Sequence, residues 1–266
     1  MTGPRPQNGP GRRPAGAGTV TLMRLAFLLC LILLWALAAA TVPRGMIPSP
    51  AATVEAARRL LSEGRLQGAL GQSLITYGTG LGAAILVGIP LGALMGMVRL
   101  FGRTVDVFVF ALAATPRVAF IPLIIVLLGL GIEAKAMIVF LGAVMPIILN
   151  TYAGVQARDE ELIEMARSTG ASATRIQIHV VLPGALPFLV VGLRLGATIG
   201  LINTVVAELY TAVSGLGGLL ALYGNTFRMA EYFVIVLALA AIGVIVTESL
   251  RLLEGRLSRW RLPGRP

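Results

Sequence analysis

Apolar residues gather into six long runs, at roughly 22–42, 74–98, 105–130, 134–155, 185–210 and 232–253, separated by short polar or glycine- and proline-bearing breaks. A helix that crosses the hydrocarbon core of a bilayer needs about 20 mostly apolar residues, and each run has that length. The pattern predicts an all-α integral membrane protein with six spans. Residues 1–21, rich in Gly, Pro and Arg, read as a disordered tail. Residues 43–70 read as a loop holding a short interfacial helix at 51–65, with Leu60 and Leu61 on one side. Residues 71–255 form a five-helix core interrupted by a polar loop at 157–183, and 256–266 form a second tail. The first run has a rival reading, because Arg24 followed by LAFLLCLILLWALAAA resembles a cleavable signal peptide. Its length and the five later spans favour an uncleaved helix.

Composition supports the same solvent. Hydrophobic residues make up 56% of the 266 and charged residues only 13%, about half the share of a soluble domain. The net charge of +10 would suit nucleic acid only if it formed one patch with a binding motif. Here the arginines sit in small groups at the ends of apolar runs, so no nucleic-acid partner is expected. Arg5, Arg12, Arg13, Arg24, Arg99, Arg103, Arg158, Arg167, Arg175 and the arginines after 250 share one side of the predicted topology. Arg44, Arg58, Arg59, Arg65, Lys135 and Arg228 share the other. The excess places both termini and the 157–183 loop in the cytoplasm by the positive-inside rule. One cysteine, Cys30, and one histidine, His179, leave no disulfide and no multi-ligand metal site. No cofactor is expected, and His179 reads as a plain helix residue.

Within the spans, glycines recur every fourth residue at Gly88, Gly92 and Gly96, and again at Gly192, Gly196 and Gly200. That spacing puts them on one helix face, where backbones can approach closely in lipid. Pro90, Pro116, Pro122 and Pro146 interrupt spans and hint at a path rather than an inert anchor. Three charges also lie within apolar runs: Arg117, Arg194 and Glu208. Arg194 and Glu208 are near opposite ends of the fifth run, where snorkelling to the two interfaces and lining a path are both open readings. Arg117 is too deep for that, so it is expected to face a cavity or a partner, with Glu208 the candidate. These three residues are the candidate translocation path.

The polar loop carries the most specific pattern. Asp159, Glu160 and Glu161 are acids suited to a helix start. Leu162, Met165, Ala166 and Thr169 give one modestly apolar face. Gly170 stops the helix, Ser172 caps a second short one, and Pro183 ends it. The product is a helix–turn–helix knob with small residues at its tip, suited to insertion into a groove on another protein.

These residues resemble the cytoplasmic loop signature of bacterial ABC-importer permeases: Glu-Ala-Ala, three residues, Gly, nine residues, Ile, any residue, Leu-Pro. Glu164, Ala166, Gly170 and Leu182-Pro183 match, with Met165 and Val180 as conservative departures. Gly88-Ile-Pro-Leu-Gly92, Ala119-Phe-Ile-Pro-Leu123, Gly192-Leu-Arg-Leu195 and Val205-Val-Ala-Glu208 extend the resemblance to the nitrate/sulfonate/taurine-type subfamily, over roughly residues 50–260. It implies a six-transmembrane-helix type I ABC importer permease fold in the cell inner membrane, with a cytoplasmic coupling helix. The implied partners are cytoplasmic ABC ATPase subunits, a soluble substrate-binding protein outside, and a second permease copy, normally in a homodimer. The implied ATPase-coupling residues are Glu164, Ala166, Arg167, Ser168, Thr169, Gly170, Ala171 and Ser172. The sequence supports this division of labour, because Lys135 is the only lysine. With no lysine in a phosphate-binding loop, ATP hydrolysis is expected on a different chain, and this one is not expected to be an enzyme. An anionic solute such as a sulfonate, nitrate or carboxylate would suit Arg117. The alternatives are a secondary transporter or channel acting without an ATPase, and an intramembrane enzyme. The first wants coupling carboxylates in the spans. The second wants a paired Asp, Ser–Lys or His–Glu set, which the spans lack.

Overall fold

The computed structural model describes residues 17–42 and 45–257, and every element among them is helical. They are α1 (Ala17–Thr41), α2 (Pro50–Ser62), α3 (Arg65–Met97), α4 (Arg99–Ala114), a 3-10 turn (Arg117–Phe120), α5 (Ile121–Leu128) and α6 (Ile132–Gln156). There follow α7 (Glu160–Ser168), α8 (Ala173–Ile176), a π-helical segment (Gln177–Val181), α9 (Leu182–Thr211), α10 (Gly215–Asn225) and α11 (Met229–Leu257). Five helical stretches are individually long and apolar enough to span a bilayer, and α4 with the 3-10 turn and α5 makes a sixth that is bent by 83°. The tail expected at 1–21 lies outside the described residues up to 16, and 17–21 already belong to α1. The tail at 256–266 lies outside them from 258 on.

Helix α6 is the centre of the fold, gripped by glycine faces on both sides. A methyl group added at Gly88 of α3 would lie 2.8 Å from Ile147 Cγ2, and one at Gly96 would lie 2.5 Å from Val155 Cβ. From α9, a methyl at Gly192 would lie 2.8 Å from Asn150 Cβ and one at Gly196 would lie 2.8 Å from Ile147 Cγ1. Each distance is too short for a real side chain, so the spacing of four does what it predicts: it lets three backbones touch. Lipid tails are as apolar as these side chains, so the gain comes from close van der Waals packing rather than from leaving water. The order of contacts makes α3 and α6 run the same way and α9 the opposite way. All three therefore share two ends.

At one end, α2, α10 and α11 bury Ala56, Leu60, Leu216, Tyr223, Val234 and Ile235 together. Helix α2 starts one residue earlier than expected because Ser49 caps it, accepting from the Ala52 N–H at 3.2 Å with Pro50 in the first turn. Leu60 is buried but Leu61 stays exposed, so the two do not share a side as predicted. Gly64, at φ +71°, turns the chain into α3, which begins nine residues before the run read from hydropathy. Helix α1 stands apart and touches this end through Trp35, whose ring stacks on Phe233 and whose indole N–H donates to Pro48 O.

Two expectations need correcting. The third run is not one straight span: proline forces its predecessor out of the helical region, and Thr115 at ψ 135° followed by Pro116 breaks it. Pro183 does not end a helix either. It sits just after a π turn, in a helix that runs unbroken from Ala173 to Thr211. That π turn, Gln177–Val181, is where the hydrogen-bond ladder adjusts to the missing N–H. Helix α10 lies between the fifth and sixth apolar runs, in a stretch the hydropathy pattern leaves unassigned.

Candidate functional site

The knob fills the end opposite α2 and α10. Asp159 caps α7, its Oδ1 accepting from the N–H groups of Glu161 and Leu162 at 3.0 and 3.2 Å. Glu160 and Glu161 complement the helix dipole in the first turn. Gly170, at φ +82°, closes α7, with its N–H donating to Arg167 O and that of Ala171 to Ala166 O. Both carbonyls are orphans that a helix end must satisfy. Ser172 takes the N-cap position of α8, but its hydroxyl makes no cap bond; its carbonyl accepts from the Ile176 N–H at 3.0 Å.

The knob is seated by a small core of Val155, Ile163, Ile176, Val181 and Ala185, with Met97, Ala166 and Ala171 against it. Ile163, absent from the predicted apolar face, is the buried anchor of α7, while Leu162 and Met165 from that face are exposed. The predicted coupling residues therefore divide. Ala166 and Ala171 are half-buried and hold the turn down, whereas Glu164, Arg167, Ser168, Thr169, Gly170 and Ser172 face outward. Beside them, Leu162, Met165 and Ala166 with Val180 and Pro183 line a cavity of about 400 Å³. His179, also on that cavity, has Nδ1 3.1 Å from Arg175 O.

The intramembrane charges do not meet as predicted. Arg117 donates from Nη1 to Gly142 O and from Nη2 to Ala113 O, both at 3.2 Å. The break at Pro116 exposes the carbonyls of the last turn of α4, and the guanidinium turns back to fill one. Arg194 lies half-buried between Gly192 and Gly196 on α9. Glu208 is not Arg117's partner and does not reach an interface: it is 1% exposed. Its carboxylate accepts from Ser73 Oγ at 2.8 and 2.9 Å and from the Gly217 N–H at 2.9 Å. Lys135, also buried, supplies the neighbouring positive charge and donates to Ser214 Oγ at 2.6 Å.

Ser73, Gln72 and Ser214 were not singled out from sequence, and Lys135 was noted only as the single lysine on the outer side. The signal that was available is the Ser214-Gly-Leu-Gly-Gly218 stretch, a glycine-rich turn opening a helix. Methyl groups there would run into Glu208: at Gly215 into its carboxylate, and at Gly217 2.6 Å from its Cβ.

Comparison with known proteins gives this arrangement its context. The chain is 32% identical over 81% of its length to a probable ABC transporter permease protein of Brucella abortus, covering 86% of that protein. It is likewise 32% identical to the taurine transport system permease protein TauC of Escherichia coli, over 72% of this chain and 70% of that one. Its fold matches a chain of the MetNI methionine ABC transporter in an inward-facing conformation, with a TM-score of 0.63 at 21% identity, covering 73% of this chain and 95% of that one. A multi-pass bundle with a seated polar knob, relatives that are ABC permeases, and a family model matching residues 88–259 together place the chain in the family of binding-protein-dependent transport system inner membrane components.

Proposed function

We propose that the chain forms the translocation path of an ATP-driven importer and that its knob is the coupling element for a separate ATPase. The observation that carries this reading is the knob itself. A turn held by Gly170 presents Glu164, Arg167, Ser168, Thr169 and Ser172 outward, and exposed Leu162 and Met165 lie beside it. A soluble-facing turn with no internal use for exposed apolar side chains fits a protein partner's groove. The same helical run leads from Ala173 directly into the membrane. Ala166 and Ala171 keep the turn rigid from beneath. In this reading the termini and the knob are cytoplasmic, two copies pair around the path, and a soluble binding protein delivers the solute from the other side.

The solute is a small anion of the sulfonate type. One relative is named for taurine and another as a putative aliphatic sulfonates transport permease protein, and Arg117 offers this chain a cation in the third apolar run. With Glu208 enclosed, Arg117 and Arg194 remain as path candidates. The test is Gly170→Trp in a reconstituted complex. A bulky residue is strained at φ +82° and spoils the tip, so ATP-driven uptake is abolished while the permease still inserts. Uptake that persists with the ATPase removed would instead assign the chain to transport on its own.

A further inference from the structure

We propose that Glu208 is a positioning residue: its buried carboxylate fixes the first turn of α10 to the far end of the helix that begins in the knob, so that movement of the knob reaches α10. The inference rests on the coupling role proposed above and moves Glu208 from the path to the relay.

The helical run Ala173–Thr211 has 39 residues, which at 1.5 Å per residue is about 55–60 Å, longer than a bilayer is thick. Its first turns are the knob's second helix. Its last turn carries Glu208, after which Ala212, in the left-handed region at φ +50°, turns the chain back into α10. The opening N–H groups of α10 have no partner within their own helix, and they find partners on two other helices, α3 and α9. Gly215 N–H donates to Gln72 Oε1 at 3.0 Å, Leu216 N–H to Ser73 Oγ at 2.8 Å, and Gly217 N–H to Glu208 Oε2 at 2.9 Å. The Ser73 hydroxyl in turn donates a hydrogen bond to the Glu208 carboxylate. Ser214, the N-cap residue, makes no cap bond because its hydroxyl is taken by Lys135 of α6.

Helices α3, α6 and α9 thus converge on one turn of α10, and Glu208 is the only one of these anchors supplied by the knob's own helix. A carboxylate is also the group that a helix N-terminus favours. The glycines at 215 and 217 are what let it sit there, because a methyl group at either would run into Glu208. A rigid link at this point moves α10 whenever α9 tilts.

The experiment uses the complex of permease, ATPase and binding protein in proteoliposomes, in a Cys30→Ser background. Cysteines replace Gly68 and Leu222, which line one cavity of about 340 Å³ between α3 and α10 and lie outside the anchor. The rate of cross-linking between them is compared in nucleotide-free and vanadate-trapped complexes. With Glu208 intact the two states differ by at least about fivefold, the low end of ordinary coupling between sites. Glu208→Ala brings the states to within about twofold of each other while ATP hydrolysis continues. Glu208→Gln, which keeps a carbonyl for the Gly217 N–H, restores most of the difference.

A Glu208→Ala complex that retains the full difference overturns the proposal. So does one that assembles but loses hydrolysis together with the difference, since that is a fold defect rather than a broken relay. If Glu208→Ala fails to assemble, Glu208→Leu, which fills the space but offers the Gly217 N–H no acceptor, replaces it, with the same two readings. An absence of nucleotide dependence with Glu208 intact overturns the coupling reading itself, and is recognised before any variant is made.

Discussion

Ile147 is held from two directions, by Gly88 of α3 and Gly196 of α9, and is 0% exposed. In lipid that contact cannot be replaced by a gain from leaving water, so geometry alone decides it. Gly196→Val is expected to push Ile147 off its rotamer and to cost about 1–3 kcal/mol, the usual penalty of overpacking. The lowered unfolding temperature in detergent is the measurement. Gly184→Ala, where a methyl would meet nothing within 4 Å, is the matched control and leaves that temperature unchanged. Arg117 makes a different kind of prediction. Two of its donors end on carbonyls, and a guanidinium has five, so it can hold an anion without releasing the backbone. Replacing it with Ala lowers uptake of the proposed anionic solute by roughly tenfold or more if one charge-assisted contact is lost from the path, while Lys keeps part of it. Undiminished uptake in Arg117→Ala would take this residue out of the path.

The elements show where a sequence can be read and where it cannot. Glycines at a spacing of four, acids at the start of α7 and Gly170 at its end act locally, through one backbone or one turn, and each appears where the pattern puts it. Pro183 was misread because proline stops a helix only where an N–H is needed. Whether it is needed depends on the π turn before it, which no local pattern announces. Helix α10 was missed for a related reason, since its first turn is completed by Gln72, Ser73 and Glu208 from distant segments. The same logic explains the failed Arg117–Glu208 pair: two charges in apolar runs invite pairing, but Glu208 already has nearer donors. The π turn itself is testable. Deleting Ile178 lets Gln177–Val181 close as an ordinary α-turn and rotates the knob by about 100° against α9. The protein should still insert, but Ile163 and Ile176 are turned off Val155 and Ala185 and the tip faces away from the ATPase, so uptake is lost and the unfolding temperature falls.

At the scale of the whole molecule, α3, α6 and α9 are one tightly packed unit with different devices at its two ends. One end carries the knob on a small core of its own. The other carries α2 and α10, with α2 tied to α11 through Glu231, which takes Arg59 at 3.6 Å and also Arg228, just before α11, at 2.6 Å. Helix–helix contact through glycine leaves little slack, so the unit is built to tilt as a body rather than to bend. Such a tilt moves both ends in opposite senses, which is what alternating access requires of a path between them. The reading also demands that the ends face different compartments. In a Cys30→Ser background, cysteine at Ser172 should react with a membrane-impermeant maleimide only from the cytoplasmic face, and cysteine at Ser62 only from the opposite one. Both hydroxyls lie on exposed residues, so with the permease labelled free of its ATPase, lack of access through burial cannot mimic the result. A reversed pattern would put the knob out of reach of any nucleotide-driven partner, and with it the tilt would lose its source of energy.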